Sequence, residues 1–269
     1  MRSTKLILCR TFFFRFRGSF LGFCLALSVA AGPVVSSGAN AEPYRPLDHI
    51  WYGTRDIPTT QNLVILGAGT GATLGALFWL DDRIVRFYAG QNRMGGADWV
   101  GNHILGTGAV GATLGVGAVV YGIGAQRPHE LESGEAHLEG LLGTFAYTSA
   151  LKFSVRRQRP GDGNRQSFPS GHTSTMFSSA ANLLDFYGPI AGVPAFALGV
   201  YTGMCRLNSN AHHLSDVLFG ATLGYIVGHA YDLHHLVNVG EKGGLKTELS
   251  FYPYYDDRAN FGGAFELKF

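Results

Sequence analysis

The chain has 269 residues, of which 46% are hydrophobic and only 15% charged, and its formal net charge is +2. This length suits one large domain, and no linker-like stretch separates two cores. So weak a charge excludes a polyanion partner such as nucleic acid.

The N-terminus carries a processing pattern. Arg2, Lys5, Arg10, Arg15 and Arg17 form a basic region without an acid, an apolar run covers 20–31, and Ala39-Asn40-Ala41 offers a small-x-small cleavage site. Residues 1–41 are therefore expected to be an export signal, with an uncleaved anchor as the alternative. Cys9 and Cys24 would leave with it, so Cys205 would stand alone, buried and without a disulfide. Residues 42–61 are polar and contain proline, which predicts a surface lead-in.

Six apolar helical segments follow, expected near 62–82, 99–124, 136–158, 171–187, 189–206 and 212–233. Gly67, Gly71 and Gly75, then Gly111 and Gly115, then Gly220, Gly224 and Gly228 recur at a four-residue step, on one face of their helices. Such faces allow close helix approach, a habit of membrane bundles. The uncharged runs 63–80 and 104–125 are each long enough to span a bilayer, but segments three, four and six have shorter ones, which favours a buried soluble bundle. Residues 67–72 (GAGTGA) and 106–111 (GTGAVG) mimic a dinucleotide-binding turn, yet no acidic residue follows about 20 positions on. No cofactor is expected. After Asp232 the pattern changes to alternation: Leu245, Thr247, Leu249 and Phe251, then Phe261, Phe265, Leu267 and Phe269. A turn-like 256–260 lies between, so 236–269 reads as a β-hairpin tail packed on the helices.

Chemistry concentrates between residues 152 and 216. Lys152 and Arg159 are seven apart, so on a helix stopped by Pro160 they share a face. Pro169-Ser170-Gly171-His172 opens the next helix, where free backbone N–H groups, Gly171 and the Ser170 hydroxyl can hold an anion. His212 and Asp216 are four apart, a spacing at which the carboxylate can orient the ring and leave its other nitrogen nucleophilic. Arg206 adds a third cation. Each piece alone has a plainer reading: helix-end charge, an ordinary cap, a structural His–Asp pair. His213 is expected to face away, Arg156 and Arg157 to be solvated helix charge flanking the site, with one of them facing substrate as the alternative, and Asp81, Asp82 and Arg83 to end the first helix. His229, Asp232, His234 and His235 read as a polar helix end rather than a metal site.

Taken together and in order, these clusters resemble the signature of the type 2 phosphatidic acid phosphatase superfamily, which includes vanadium haloperoxidases and bacterial acid phosphatases. Lys152, Arg159 and Pro160 match its first motif, residues 169–172 its second, and Arg206, His212 and Asp216 its third. Cys205 replaces the usual serine, a weaker donor. The connector 161–168 is short and leaves little room for a lid.

The resemblance implies an all-α six-helix bundle over 62–235, with the β-hairpin tail outside it. It also implies a phosphatase of phosphate monoesters or lipid phosphates. His212 would attack phosphorus and Asp216 would orient it. His172 would protonate the leaving alkoxide and then activate water. Lys152, Arg159, Arg206, Ser170 and Gly171 would hold the phosphate, with no metal needed. The expected partner is a phosphorylated lipid or small phosphomonoester at a membrane surface, with oligomeric state left open. An exported, periplasmic protein is favoured over a multi-pass inner-membrane one. The alternatives are a non-catalytic envelope scaffold and a vanadate-dependent haloperoxidase.

Overall fold

The computed structural model describes residues 46–161, 163–240, 248–255 and 261–268; the expected export signal lies outside them. The described body is mainly helical. α1 (Pro46–Arg55) precedes α2 (Thr60–Gly75), a π turn (Ala76–Leu80) and α3 (Asp81–Tyr88). α4 (Asp98–His103) and α5 (Ala109–Ala125) follow, then α6 (Pro128–Val155), α7 (Gly171–Tyr187), α8 (Pro189–Asn208) and α9 (Leu214–Asn238). Strands β1 (Glu248–Tyr255) and β2 (Phe261–Lys268) pair antiparallel, Glu248 opposite Lys268. Residues 241–247, part of the expected tail, and its turn 256–260 lie outside the described residues.

Several boundaries differ from expectation for local reasons. The lead-in contains α1, because Pro46 sits at the first helical position, where a missing N–H costs nothing. The helix is anchored by Gly53, on which a Cβ would come within 2.5 Å of the Tyr231 ring. The second expected segment is broken at Gly108, whose φ of 80° turns the chain between α4 and α5. α6 begins at Pro128 and ends at Val155, where Arg156 takes a left-handed conformation. Arg157 and Arg159 therefore leave the helix.

α7, α6 and α9 form the packed centre. On α9, a Cβ at Gly220, Gly224 or Gly228 would lie 2.6, 2.0 or 2.7 Å from the carbonyl oxygen of Ser170, Ser174 or Ser178 on α7. The glycine stripe on α9 is thus the contact that brings the two backbones together. On α5, Gly115 admits Leu138 of α6, and Gly111 admits Ser179 of α7 beside Leu141 and His137 of α6. Gly67 and Gly71 have no such neighbour: nothing lies within 4 Å of a Cβ there, and on α2 it is Gly69 that meets Thr222.

Among the described residues, 60–88 and α8 are long and apolar enough to cross a membrane. A third span results if 95–107 and α5, which meet at 48°, count as one. Their apolar side chains face outward: Val64, Phe78, Trp79 and Ile190 are all more than two-thirds exposed. In contrast, the expected polar end of α9 is buried. His235 is fully covered and pairs with Glu132 and Glu139, and His229 pairs with Asp185.

Candidate active site

The site forms where the C-terminal end of α6, its following loop, and the N-terminal ends of α7 and α9 converge. Lys152, in the last turn of α6, donates from Nζ to the carbonyl oxygens of Gln166 (2.7 Å) and Pro169 (2.6 Å). These bonds tie the loop back onto the helix. Arg159 N donates to Asn164 O and Ser167 N to Arg157 O, which folds the short connector on itself.

Ser170 is the N-cap of α7, fully buried, with Oγ 3.0 Å from Thr173 Oγ1. Its N–H is taken by the Asp216 carbonyl at 2.9 Å, which locks α7 to α9. The N–H groups that follow, from Gly171 onward, open the helix without intrahelical acceptors.

His212 does not lie on α9 as expected. That helix begins at Leu214, with His213 as its N-cap, so His212 precedes the first turn. The ring is 2% exposed. Its Nδ1 donates to the Ser167 carbonyl at 2.6 Å and lies 3.8 Å from Asp216 Oδ2. The oriented tautomer is therefore fixed by a backbone carbonyl, and Nε2 carries the lone pair. Asp216 acts on His212 through charge rather than through a direct hydrogen bond.

Asp216 has other partners. Arg157 Nη1 donates to its Oδ1 at 2.6 Å, Ser167 Oγ to its Oδ2 at 2.5 Å, and His213 N to Oδ2 at 2.8 Å. His213 and Asp216 form a reciprocal capping box rather than facing away. Arg157, expected to be solvated, also donates to Ser215 Oγ (2.6 Å) and to Asp81 Oδ2 (2.7 Å). Asp81, expected merely to end a helix, is buried and accepts from Ser215 N and Oγ. The π turn just before it adds a residue to the helical register and turns Asp81 inward. Sequence reading missed Arg157 and Asp81 because their partners are 59 and 76 residues away.

It also missed Asn102. This residue accepts from Arg206 Nη1 at its Oδ1 (2.9 Å) and from His172 Nε2 at its carbonyl (3.1 Å), so one α4 residue positions two site groups. The backbone behind His172 is Gly106, where a Cβ would come within 2.5 Å of its ring. The GTGAVG stretch is thus a wall of this site. Cys205 is fully buried against Gly101, next to Asn102.

Electrostatics follow from burial and from the cations. Burial, with Arg159 and Arg206 nearby, pulls Lys152 down to about 8. Burial, with Lys152 and Arg206, pulls His212 down to about 4, although Asp216 opposes the shift. Burial and Arg206 bring His172 to about 3. Burial alone would raise the Asp216 carboxyl, but His212, His213, Ser167 and Arg157 hold it well below the ordinary carboxylate range. The result is two neutral imidazoles and a carboxylate beside three cations, an arrangement that suits a tetrahedral oxyanion.

Residues 102–235 match the sequence profile of the PAP2 superfamily, an interval that contains every one of these groups except Asp81. The chain belongs to the PAP2 superfamily. A curated relative, the lipid A 1-phosphatase of Porphyromonas gingivalis, is 40% identical over 83 residues, which is 30% of this chain and 19% of the relative. The match thus spans about a fifth of that relative's length. No solved structure matches the chain.

Proposed function

We propose that the chain is a membrane-associated phosphatase of lipid phosphates that transfers phosphoryl through His212 and needs no metal for the reaction. The observation that carries this reading is the fixed His212 tautomer. Nδ1 is committed to the Ser167 carbonyl, so Nε2 is presented as a nucleophile next to Lys152 and Arg206.

The steps balance on these residues. The phosphate oxygens settle among Lys152, Arg159, Arg206, the Ser170 hydroxyl and the first N–H groups of α7. His212 Nε2 attacks phosphorus, the bond to the lipid oxygen breaks, and that oxygen takes a proton from His172. The substrate binds as its monoanion and its proton passes to His172, whose pKa the resulting phosphate dianion raises. Because Nε2 of His172 is held by the Asn102 carbonyl, Nδ1 is the nitrogen that exchanges it. Water then gives a proton to His172 and attacks phosphorus, the P–N bond breaks, and inorganic phosphate leaves. The chain's own charges do the positioning and electrostatic work.

Two observations favour a lipid substrate. The relative acts on a phosphorylated lipid by its name, and the apolar faces of 60–88 and α8 suit a bilayer surface. Within this reading the protein is exported, the helical body 62–235 is the catalytic unit, and the site faces the periplasm. The test is phosphate release by the full-length chain in detergent, with chelator, from a lipid phosphomonoester, a polyprenyl diphosphate and a soluble aryl phosphate. Release from a lipid substrate that disappears in His212→Ala supports the reading. No release from any of the three points to the scaffold alternative. Oxidation of halide by peroxide after added vanadate points to the haloperoxidase one.

A further inference from the structure

At the far end of α9 lies a second constellation that the phosphatase chemistry does not use. His235 is about 21 residues from the start of the helix, or roughly 30 Å along it. Glu132, Glu135 and Glu139 recur on α6 at steps of three and four, so they line one face, and α1 brings His49 to the same place. His235 Nδ1 lies 2.6 Å from Glu132 Oε2. His235 Nε2 lies 3.1 Å from Glu139 Oε2 and 3.4 Å from His49 Nδ1, which itself lies 3.4 Å from Glu139 Oε1.

We propose that His49, Glu139 and His235 form a binding site for a divalent transition-metal ion of the zinc type, with Glu132 orienting His235. Two observations point there. The first is spacing. Donors about 2.0–2.1 Å from a tetrahedral zinc ion are about 3.3–3.4 Å from one another. His235 Nε2 lies 3.4 Å from His49 Nδ1 and 3.1 Å from Glu139 Oε2, about the size of two edges of that polyhedron, and the other Glu139 oxygen lies 3.4 Å from His49 Nδ1. The second is the outer partner. A histidine ligand usually donates its other ring N–H to a carboxylate, which fixes the tautomer and strengthens the ligand. Glu132 stands at Nδ1 in that role and leaves Nε2 for the ion.

The donor set of two imidazoles and a carboxylate favours zinc over magnesium or calcium, which prefer all-oxygen cages. Water completes the coordination. The ion ties α1 to α6 and α9, so its role is to hold the helical body together rather than to act on phosphate.

The test uses the full-length chain in detergent, stripped with chelator, exposed to zinc sulfate and separated from free ion by gel filtration. Elemental analysis is expected to give one zinc per chain, against none retained with magnesium or calcium. The melting temperature should rise on zinc addition. His49→Gln and Glu139→Gln, each checked for native helicity by circular dichroism, should lose the retained zinc and the melting shift. Glu132→Gln should weaken zinc affinity roughly 10–100-fold. Phosphate release, assayed below the melting temperature of the stripped protein, should not change in His49→Gln. A stripped chain that retains no zinc, or retains equal zinc in both ligand variants, would overturn the site without touching the phosphatase reading.

Discussion

Arg157 Nη1 donates to Asp216 Oδ1 at 2.6 Å, which makes an arginine outside the expected motif positions the main cationic partner of the aspartate behind His212. Its other branch reaches Asp81, so the pair belongs to a chain that runs from the start of α3 to the N-terminal end of α9. Asp216 is fully buried, and loss of this partner leaves its charge without its hydrogen-bonded guanidinium. Arg157→Ala should therefore cost about 3 kcal/mol of stability, the scale for breaking a buried pair. Chemical denaturation is the measurement. Asp81→Asn should cost less than this alone, and the double variant should cost less than the sum, because both changes break one network.

Asn102 offers a more specific handle. Its side chain accepts from Arg206, so Asn102→Ala releases that guanidinium without touching its charge. Hydrogen bonds to charged groups contribute about 1.5–3 kcal/mol, so kcat/KM should fall roughly 10–100-fold. The backbone carbonyl that holds His172 remains. A variant with normal kcat/KM would show that Arg206 finds its place without Asn102.

The pH dependence has a defined sign. In the proposed mechanism His212 must be neutral to attack, and with its pKa lowered to about 4 it becomes competent as pH rises through about 4. Lys152 must be charged to hold phosphate, and with its pKa lowered to about 8 it loses that charge as pH rises through about 8. Once the substrate phosphate's own second ionisation, at about pH 6, is divided out, the profile of kcat/KM should be a bell with limbs near these values. Lys152→Arg should move the alkaline limb upward, because a guanidinium stays charged.

The glycines on α9 and α2 should behave oppositely. Gly224→Ala places a Cβ 2.0 Å from the Ser174 carbonyl oxygen, so the helices must separate, at a cost of about 1–3 kcal/mol. Gly67→Ala meets nothing and gains helix propensity, so it should be neutral or stabilising by up to about 1 kcal/mol. Thermal melting distinguishes them.

Much of the site was legible because its groups sit within short motifs. Residues 169–172 announce a helix start, and the spacing of Arg206, His212 and Asp216 places them near one another whether or not His212 is helical. The helical body was legible from apolar periodicity. What stayed hidden depends on contacts far apart in sequence. Asp81 turns inward through a π turn that no pattern marks, and Arg157 finds it across 76 residues. The displacement of His212 from α9 had a readable signal. Asp216 stands three residues after His213, the spacing of a capping box, which puts the helix start after His213. The end of α9 reads from the sequence only as a polar helix end, because the partners that let it be buried, Glu132 and Glu139, lie on another helix.

The most direct measurement is a rapid acid–base quench of the full-length chain mixed with a lipid phosphate labelled on phosphorus. Label retained on the protein, stable to alkali, labile to acid and absent in His212→Ala, is the predicted result. With an aryl phosphate, whose leaving group needs no proton, it should accumulate in His172→Ala, where water is no longer activated. Turnover without any protein-bound label in either the native chain or His172→Ala, or label that persists in His212→Ala, would contradict attack by His212.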